Sequence, residues 1–355
     1  MNSILSTNYY VHFQENAYIS LQNYLNENAH SKLFVLVDTN TKRECLPYFL
    51  DNFDIDKSFE IIEIDPGENY KNLETCLTLW NSLTEAGADR KSILINLGGG
   101  VITDMGGFVA STFKRGIKFI NIPTTLLSMV DASVGGKTGI DLGVLKNQIG
   151  LFSNPEMVLV DTNYLKTVGT REMRSGLAEI IKYGFTFDQS MWDRIKLIKN
   201  IDSEFINDLV HRSIEIKNSV VLKDLKEENI RKSLNFGHTI GHAIESYFLE
   251  NNEYKSLTHG EAIAIGMIIE LFFSSEIFNF PLEKTNELKS FIIGFYGKTD
   301  INKKDFAPII DLMKYDKKNV SGIINFVLLD KMESCKIDVQ VSQELLIKGI
   351  EFYLA

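Results

Sequence analysis

Short apolar runs alternate with helix-like patterns in the first half of the chain. The runs are rich in Ile, Val, Leu or Phe, are bounded by polar residues or glycine, and cover residues 33–37, 59–64, 93–97, 117–122 and 157–160. Runs of this length and composition are typical of buried strands in a parallel sheet. Residues 68–85, between the second and third runs, carry apolar side chains at helical spacing. The order strand, helix, strand predicts parallel pairing through right-handed crossovers.

The pattern changes after residue 167. Long helical patterns cover residues 203–224, 233–249 and 261–278, and only residues 323–329 and 336–341 look extended. A chain of 355 residues exceeds the roughly 250–300 residues at which a single core stops growing. We therefore expect two domains: a Rossmann-like α/β domain with a parallel sheet over residues 1–167, and a mostly helical domain over residues 168–355.

Composition and charge narrow the range of partners. The hydrophobic content of 44% and charged content of 24% are those of an ordinary globular protein. A formal net charge of -10 disfavours nucleic acid and anionic membrane surfaces, but it permits a small anionic substrate in a local basic pocket. The three cysteines are far apart in sequence, and neither a signal-peptide pattern nor a membrane-length apolar window is visible. A reducing, cytoplasmic location is expected.

Glycines follow the third apolar run at a point where a nucleotide could bind. Gly98, Gly99 and Gly100 lead into an apolar helix that contains Val101 and Asp104. Such a turn lets a diphosphate approach the backbone and the helix N-terminus. The spacing is not G-x-G-x-x-G, so a tight turn is an equally good interpretation. Asp38, at the end of the first run, could bind a ribose, although an N-cap is favoured on its position alone.

Hydroxyl groups, a carboxylate and a lysine follow the fourth run. Thr124 and Thr125 come first, then Asp131, and a double-glycine turn then presents Lys137. The first glycine of a P-loop would fall at Asp131, so an NTPase is rejected. Lys146, and Arg115 before the fourth run, add further cations in neighbouring loops. Scattered surface lysines are the alternative, but several cations at one end of a parallel sheet favour an anion site.

Three of the six histidines lie within 22 positions in the helical half. His238 and His242 are one helical turn apart, and His259 opens the next helical segment. The alternative is one capping histidine and one hydrogen-bonded core histidine. Spacing alone favours a zinc site with His238 and His242 as the ligand pair. Glu179, a charged residue in an otherwise apolar helix, is the candidate third ligand.

Taken together, these motifs resemble the 3-dehydroquinate synthase family of sugar-phosphate cyclases. The resemblance runs from Asp38 to residues 316–319, and it is strongest in residues 97–107, 115–148, 175–184 and 233–261. It implies an enzyme of the shikimate pathway, which leads to chorismate and the aromatic amino acids. The implied reaction converts 3-deoxy-D-arabino-heptulosonate 7-phosphate to 3-dehydroquinate and phosphate, a net lyase reaction with catalytic NAD and a divalent metal, zinc or cobalt.

The resemblance also implies a role for individual residues. The NAD-binding residues would be Asp38, Asn40, Glu68, Lys71, Gly99, Gly100, Val101, Asp104, Thr124, Thr125, Lys137, Lys146, Tyr164, Leu165, Lys166 and Thr167. The metal ligands would be Glu179, His238 and His259, which replaces the pair favoured by spacing. The catalytic residues would be Lys137, Lys182, Asn235 and His242. The substrate would be bound by Arg115, Asp131, Asn147, Lys217, Arg231 and Lys317.

Some implied assignments leave alternatives open. Arg115 would reach the phosphate from the neighbouring subunit of a homodimer. Either Lys317 or Lys318 would close the site, and either Glu227 or Glu228 would be the acidic partner near Arg231.

In the implied mechanism, NAD⁺ takes hydride from C5, which acidifies the proton at C6. Phosphate then leaves by β-elimination, hydride returns to C5, and an intramolecular aldol reaction closes the carbocycle.

Three other functions compete with this interpretation. A sister cyclase of the valiolone or deoxy-inosose type would act on another sugar phosphate. The joint presence of Lys182, Lys217, Arg231, Asn235 and His242 resembles the dehydroquinate branch instead. A metal-dependent alcohol or glycerol dehydrogenase would share the glycine turn and the metal, but it has no use for so many phosphate-binding lysines. A non-catalytic binding protein is disfavoured because no ligand or nucleotide residue is missing.

Overall fold

The structure is a computed structural model that describes residues 1–53, 59–143, 145–198, 203–314 and 323–355. Its strands, numbered in chain order, are β1 Ile4–Leu5, β2 Tyr10–Phe13, β3 Leu33–Asp38, β4 Phe59–Ile64, β5 Ile93–Gly98, β6 Lys118–Pro123, β7 Lys137–Leu142, β8 Leu145–Phe152, β9 Met157–Val160, β10 Phe326–Lys331 and β11 Ser334–Val339. The five strands predicted from apolar runs are β3, β4, β5, β6 and β9, and all five occur to within a residue. The prediction that they are buried is wrong for β4, an edge strand in which Glu60, Ile61 and Glu63 are exposed.

The helices are longer and more frequent in the second half, as the sequence predicts. They are α1 Glu15–Glu27, α2 Thr39–Glu44, α3 Leu46–Asn52, α4 Leu73–Glu85, α5 Gly100–Thr112, α6 Thr170–Thr186, α7 Gln189–Ile195, α8 Ser203–Lys223, α9 His238–Glu250, α10 His259–Phe278, α11 Leu282–Tyr296, α12 Lys303–Met313 and α13 Gln343–Leu354. None of the described helices has the combination of length and apolar character that a membrane span requires.

A seven-stranded sheet has the order β1-β2-β9-β6-β5-β3-β4. Every neighbouring pair in it is parallel except β1 and β2. The chain runs from β3 to the edge strand β4 and then crosses back to β5 on the other side of β3. The carboxyl ends of β3 and β5 therefore flank a topological switch point, which is where open parallel sheets bind ligands. This α/β architecture, with a largely helical second half, confirms the predicted fold class.

Two predicted helices begin later than the pattern suggests. Residues 68–85 form a 3-10 turn, Glu68–Tyr70, and then α4, because the side chain of Asn72 accepts the Thr75 N–H at 2.9 Å and starts a new helix. Residues 233–249 likewise begin as a 3-10 turn, and α9 starts only after Gly237, whose φ of 79° is left-handed. Both of these segments, which carry predicted site residues, are therefore broken by local turns.

The hairpin of β7 and β8 was not predicted. Its two strands pack backbone to backbone at two glycines: a Cβ on Gly139 would lie 2.7 Å from the Ile149 carbonyl oxygen, and one on Gly150 would lie 2.4 Å from that of Thr138. The segment is rich in glycine and polar residues, so it lacks the apolar alternation that identifies a strand. Lys137, Lys146 and Asn147 all lie on this hairpin.

The chain divides into two compact units. Unit 1 comprises Met1–Met173 and Ser203–Asn218, and unit 2 comprises Arg174–Asp202 and Ser219–Ala355. The first part of α8 belongs to unit 1 because Gln14 donates to Asn207 at 3.1 Å and Asn218 donates to the Leu5 carbonyl at 2.9 Å. This division differs from a single boundary at residue 167, since sequence periodicity carries no information about which neighbours a helix will contact.

Candidate functional site

The glycine turn of unit 1 joins β5 to α5. Gly98 ends the strand, Gly99 is the N-cap and Gly100 begins the helix. A Cβ on Gly98 would lie 2.5 Å from Ile102, and one on Gly99 would lie 3.1 Å from Thr125, so both positions are closely packed. Above the strand end, the first turn of α5 presents backbone N–H groups and the positive end of the helix dipole. This arrangement fits a diphosphate.

Asp38 and Asn40 lie at the carboxyl end of β3, next to β5 in the sheet. The Asp38 carboxylate accepts the Thr41 N–H at 2.8 Å, and the Thr41 hydroxyl accepts the Asp38 N–H at 2.9 Å. The N-cap interpretation of Asp38 is thus confirmed, while a ribose contact stays a prediction. Asn40 is exposed on α2.

The other predicted cofactor residues follow β6 and β9. Thr124 and Thr125 come directly after β6, and the 3-10 segment Thr162–Thr167 follows β9 and contains Tyr164, Leu165 and Lys166. Tyr164 and Leu165 are buried, whereas Lys166 and Thr167 are exposed. The strands β9, β6, β5 and β3 are parallel neighbours. The predicted groups therefore all lie at the carboxyl ends of these four strands.

Lys71 is the centre of a buried polar network near this edge. Its ammonium group donates to Asp104 Oδ2 and to Asn147 Oδ1, each at 2.7 Å, and lies 4.0 Å from Glu68. Burial disfavours the charged amine, but the carboxylates of Asp104 and Glu68 outweigh it and raise the pKa of Lys71 above its usual range. Burial also raises the pKa of Asp104, against the effect of Lys71. The structure therefore joins three predicted cofactor residues to one predicted substrate residue.

Lys146 extends the network through a residue that sequence reasoning missed. Its ammonium group lies 3.0 Å from Glu68 Oε1 and 3.3 Å from Asp141 Oδ2. The other oxygen of Asp141 accepts the Asn147 N–H at 2.7 Å. Burial raises the pKa of Asp141, and the neighbouring Lys71 and Lys146 oppose that shift. A carboxylate inside the short glycine-rich segment before Lys146 was the available signal.

The other predicted site residues of unit 1 lie on different elements from the Lys71 network or make other contacts. Lys217 on α8 donates to Asp131 Oδ1 at 2.7 Å and also to the Asp131 carbonyl. Lys137 is half-buried at the start of β7. Arg115 is exposed in a turn where it and Lys114 have left-handed φ values of 71° and 50°. That turn borders a surface depression of about 570 Å³ lined also by Asp89, Arg90 and Lys91.

In unit 2, a buried carboxylate faces histidines from two helices. Glu179 on α6 is fully buried, and its Oε1 lies 3.4 Å from His238 Nε2 and 3.7 Å from His259 Nε2. His242 joins the same cluster, since ligand atoms of the three histidines all lie within 4.8 Å of one another. The structure therefore brings together every residue named for the metal, both by spacing and by resemblance.

The second ring nitrogens of two histidines are held by oxygen acceptors. His238 Nδ1 lies 3.0 Å from the Phe236 carbonyl, and His259 Nδ1 lies 3.0 Å from Glu245 Oε2. With Nδ1 held by these acceptors, the two Nε2 atoms face Glu179, and a metal would displace the proton from Nε2 when it binds. Burial lowers the pKa of His259, but the carboxylates of Glu245 and Glu179 outweigh it and raise the pKa to about 10. Two imidazoles and a carboxylate fit a divalent metal with an open position.

Glu245 was not predicted, although the criterion that singled out Glu179 would have found it. It is a buried carboxylate on the apolar face of α9, three residues after His242.

Polar residues surround this histidine cluster. Lys182 forms an ion pair with Glu179 Oε2, and both side chains are almost fully buried. Asn235 donates to Glu227 Oε1 at 2.6 Å, which identifies Glu227 as a contact of a predicted catalytic residue. Glu228 instead donates its N–H to Asp224 at 3.1 Å.

Arg231 is buried and donates to the Leu225 carbonyl at 2.8 Å. The backbone N–H of Arg231 donates to Asp224 Oδ2 at 3.0 Å. The same oxygen accepts the backbone N–H of Asn229 at 2.7 Å. Asp224, which no sequence motif indicates, therefore shapes the loop before Arg231. The predicted substrate residue Lys317 and its alternative Lys318 lie outside the described residues.

Two family models together cover most of the chain. Residues 61–175 match the model described as 3-dehydroquinate synthase N-terminal, and residues 176–319 match the model described as 3-dehydroquinate synthase C-terminal. Among curated relatives, a 3-dehydroquinate synthase of Parabacteroides distasonis is 41% identical over 335 residues, covering 94% of each chain. One from Campylobacter jejuni is 37% identical and covers 94% of this chain and 96% of the relative.

Solved structures show the same fold at low sequence identity. A 2-deoxy-scyllo-inosose synthase, complexed with carbaglucose-6-phosphate, NAD⁺ and Co²⁺, is 23% identical with a TM-score of 0.83 over 99% of each chain. A 2-epi-5-epi-valiolone synthase from Streptomyces hygroscopicus, with NAD⁺ and Zn²⁺ bound, is 22% identical with a TM-score of 0.85 over 100% of this chain and 99% of that one. A glycerol dehydrogenase from Schizosaccharomyces pombe gives a TM-score of 0.64 at 17% identity, over 99% of this chain and 90% of that one.

Proposed function

The chain belongs to the 3-dehydroquinate synthase family, and we propose that it converts 3-deoxy-D-arabino-heptulosonate 7-phosphate to 3-dehydroquinate and phosphate. The observation that carries this proposal is the buried Glu179 facing His238 and His259 beside Lys182, in a chain that also has the glycine turn of a nucleotide site. The net reaction is that of a lyase in the shikimate pathway, and it leaves the nicotinamide unchanged.

NAD and a divalent metal, zinc or cobalt, are the proposed cofactors. Unit 1 would bind NAD at Gly99, Gly100 and the residues after β3, β6 and β9, because these lie on one edge of the sheet. Unit 2 would bind the metal through Glu179, His238 and His259, the donor set that metal chemistry favours. When bound, NAD supplies a reversible hydride acceptor, and the metal supplies a Lewis acid for substrate oxygens.

The chain's own polar groups would control charge and protons during the reaction. Lys182 is a buried ammonium group beside Glu179, where it can stabilise an oxygen on which negative charge develops. The Asn235 amide is oriented by Glu227 and can donate to the same oxygen. His242 is half-buried within the histidine cluster, which suits a residue that moves a proton.

Anionic groups of the substrate would be bound by further cations and one amide. Lys137, Asn147, Lys217 and Arg231 provide ammonium, amide and guanidinium donors for a phosphate and a carboxylate. Asp131 would orient Lys217, since the two side chains are 2.7 Å apart. Arg115 is exposed, and we propose that it reaches the phosphate from the neighbouring subunit of a homodimer.

The decisive experiment is product identification with purified protein, heptulosonate phosphate, metal and a small amount of NAD. We expect phosphate release and 3-dehydroquinate by NMR, without lasting NADH, and loss of both on chelation. Phosphate release with another carbocycle would move the chain to a sister branch. Lasting NADH formation with an alcohol would support a dehydrogenase, and absence of turnover with both cofactors present would reject a cyclase.

A further inference from the structure

The β7–β8 hairpin contains a large irregularity beside the Lys71 network. Ile140 pairs with Ile149 and Leu142 pairs with Leu145, so Asp141 alone lies opposite Lys146, Asn147 and Gln148. Asn147 has a left-handed φ of 51° within this bulge. A bulge of this kind changes the direction of side chains and is frequent next to active sites.

The bulge brings two consecutive residues to the same cluster of charges. In a regular strand, neighbouring side chains point to opposite faces. Here the Lys146 ammonium group lies 3.0 Å from Glu68 Oε1, while Asn147 Oδ1 accepts from the Lys71 ammonium group at 2.7 Å. Lys71 and Glu68 are themselves 4.0 Å apart, so the two residues meet one network.

Asp141 makes a contact with each part of this arrangement. Its Oδ1 accepts the Asn147 N–H at 2.7 Å, and its Oδ2 lies 3.3 Å from the Lys146 ammonium group. Its own N–H donates to the Lys71 carbonyl at 2.9 Å. The Asp141 carboxylate thus satisfies a backbone donor that the bulge removes from the strand ladder, and it is only 7% exposed.

We propose that Asp141 is a positioning residue that orients Lys146 for the cofactor and Asn147 for the substrate. This inference rests on the proposed function, which assigns Lys146 to NAD and Asn147 to the sugar phosphate. Asp141 would act through these two neighbours, because its two oxygens are engaged by Lys146 and by the Asn147 backbone. Replacing Asp141 should therefore change both NAD affinity, through Lys146, and substrate kinetics, through Asn147.

Two substitutions separate these two effects. Asp141→Asn removes the negative charge beside Lys146 but keeps an oxygen that can accept the Asn147 N–H, whereas Asp141→Ala removes both. We expect Asp141→Asn to raise the dissociation constant for NAD about tenfold, measured by calorimetry without substrate. Its KM for the sugar phosphate should stay within about twofold of wild type. Asp141→Ala should lower kcat/KM for the sugar phosphate by a further tenfold or so. Asp51→Asn, which removes an exposed carboxylate from α3 of the same unit, is the matched control and should behave as wild type.

An Asp141→Asn variant with the wild-type NAD dissociation constant would overturn the inference. So would an Asp141→Ala variant whose substrate kinetics match those of Asp141→Asn. If Asp141→Ala does not fold, Asp141→Asn decides, because a purely structural role would lower its melting temperature and leave NAD affinity at 25 °C unchanged. A wild-type protein that binds NAD but forms no dehydroquinate would instead reject the proposed function, and the NAD measurements would still test the role of Asp141 toward Lys146.

Discussion

Individual imidazole rings in unit 2 are fixed by what their Nδ1 atoms contact. His238 faces a backbone carbonyl and His259 faces a carboxylate, each at 3.0 Å. A ring held in this way keeps one tautomer and one orientation, so its Nε2 is preorganised as a ligand. Two oriented Nε2 atoms facing one carboxylate oxygen support Glu179, His238 and His259 as the proposed metal ligands.

Replacing one histidine at a time distinguishes this set from the His238 and His242 pair that spacing favours. We expect His259→Ala to lose bound zinc or cobalt, with affinity reduced by more than about 100-fold, because a ligand is removed. His242→Ala should retain most of its metal while losing activity. Metal content after gel filtration, measured by plasma emission, checks both variants. Metal loss in His242→Ala together with retention in His259→Ala would support the spacing-based pair.

The Glu245 carboxylate should matter for metal affinity without touching the metal. Glu245→Ala removes the acceptor of His259 Nδ1, and we expect the dissociation constant for the metal to rise roughly tenfold. Glu245→Gln keeps an acceptor oxygen and should lose less. A chromophoric chelator in competition measures both values. Glu250→Gln, at an exposed position of the same helix, is the control, and equal affinity in Glu245→Ala and wild type would contradict the prediction.

Residues visible from sequence differ in kind from those that were missed. Glu179 is detectable because a charged residue in an apolar helix is costly to bury unless it has a partner. The histidine cluster is detectable from the spacing of His238 and His242 on one helix. Asp141 and Asp224 are not, because each acts through backbone N–H groups whose direction depends on a bulge or a loop. Residue types alone do not reveal such directions, since they depend on backbone conformations such as the left-handed φ values of Asn147 and Glu227.

At the scale of secondary structure, the contact of α9 with α10 places the histidines. The two helices approach at glycines: a Cβ on Gly266 would lie 2.0 Å from the Gly237 carbonyl oxygen, and one on Gly241 would lie 2.6 Å from Ile263. His238 and His242 are on α9, whereas His259 opens α10. We therefore expect close packing of these helices to be a condition for the proposed metal site.

Gly266→Ala should separate these helices. We expect a loss of stability of about 1–3 kcal/mol by overpacking, and weaker metal binding because α9 moves away from His259. Gly294→Ala in α11 is the matched control. A Cβ there meets nothing within 4 Å, so the change should stabilise the helix by about 0.5–1 kcal/mol. Urea unfolding and chelator competition measure the two effects. A stable Gly266→Ala variant with full metal affinity would show that the close approach is not required.

The predictable elements are those with a strong apolar signal. All five predicted strands occur in the sheet. Four of them are buried parallel strands with continuous apolar runs, and the edge strand β4 still has enough Ile and Phe to be detected. The β7–β8 hairpin gives no such signal, since its pairing depends on glycines and on the Asp141 bulge rather than on alternation. The breaks at Asn72 and Gly237 are visible in the sequence only as a cap residue and a glycine, and a helical pattern on both sides conceals them.

For the whole molecule, a net charge of -10 coexists with buried cations. Lys146, Lys182 and Lys217 are each less than 10% exposed, and each pairs with a carboxylate that is also a site residue or its neighbour. These three ammonium groups are therefore held close to acidic partners inside the protein. An anionic substrate would be recognised by replacing or sharing these contacts, which the overall charge does not reveal.

A homodimer with a shared site makes a quantitative prediction. We expect both Arg115→Ala and Lys182→Ala to be inactive when they are expressed alone. When they are co-expressed in equal amounts with random pairing, half of the dimers are mixed, and each mixed dimer has one intact site. Activity should then recover to about one quarter of wild type. Separate affinity tags allow the mixed dimer to be purified, and an inactive mixed dimer would place Arg115 in the site of its own subunit.

The proposed division of the two cofactors between the units can be tested through unfolding. A ligand that binds only the folded state at about 100 times its dissociation constant adds about 2.7 kcal/mol to the free energy of unfolding. We expect NAD and zinc each to raise the melting temperature of the wild-type protein, measured by scanning calorimetry after chelation and dialysis. His259→Ala should keep the NAD effect and lose the zinc effect.

Gly100→Val should do the reverse. A Cβ at Gly100 lies 3.6 Å from Ala132, so the variant has room to fold, but the larger side chain occupies the N-terminus of α5 where a diphosphate would approach. It should keep the zinc effect and lose the NAD effect. Loss of the zinc effect in Gly100→Val, or of the NAD effect in His259→Ala, would mean that the two cofactors do not bind independently to the assigned residues.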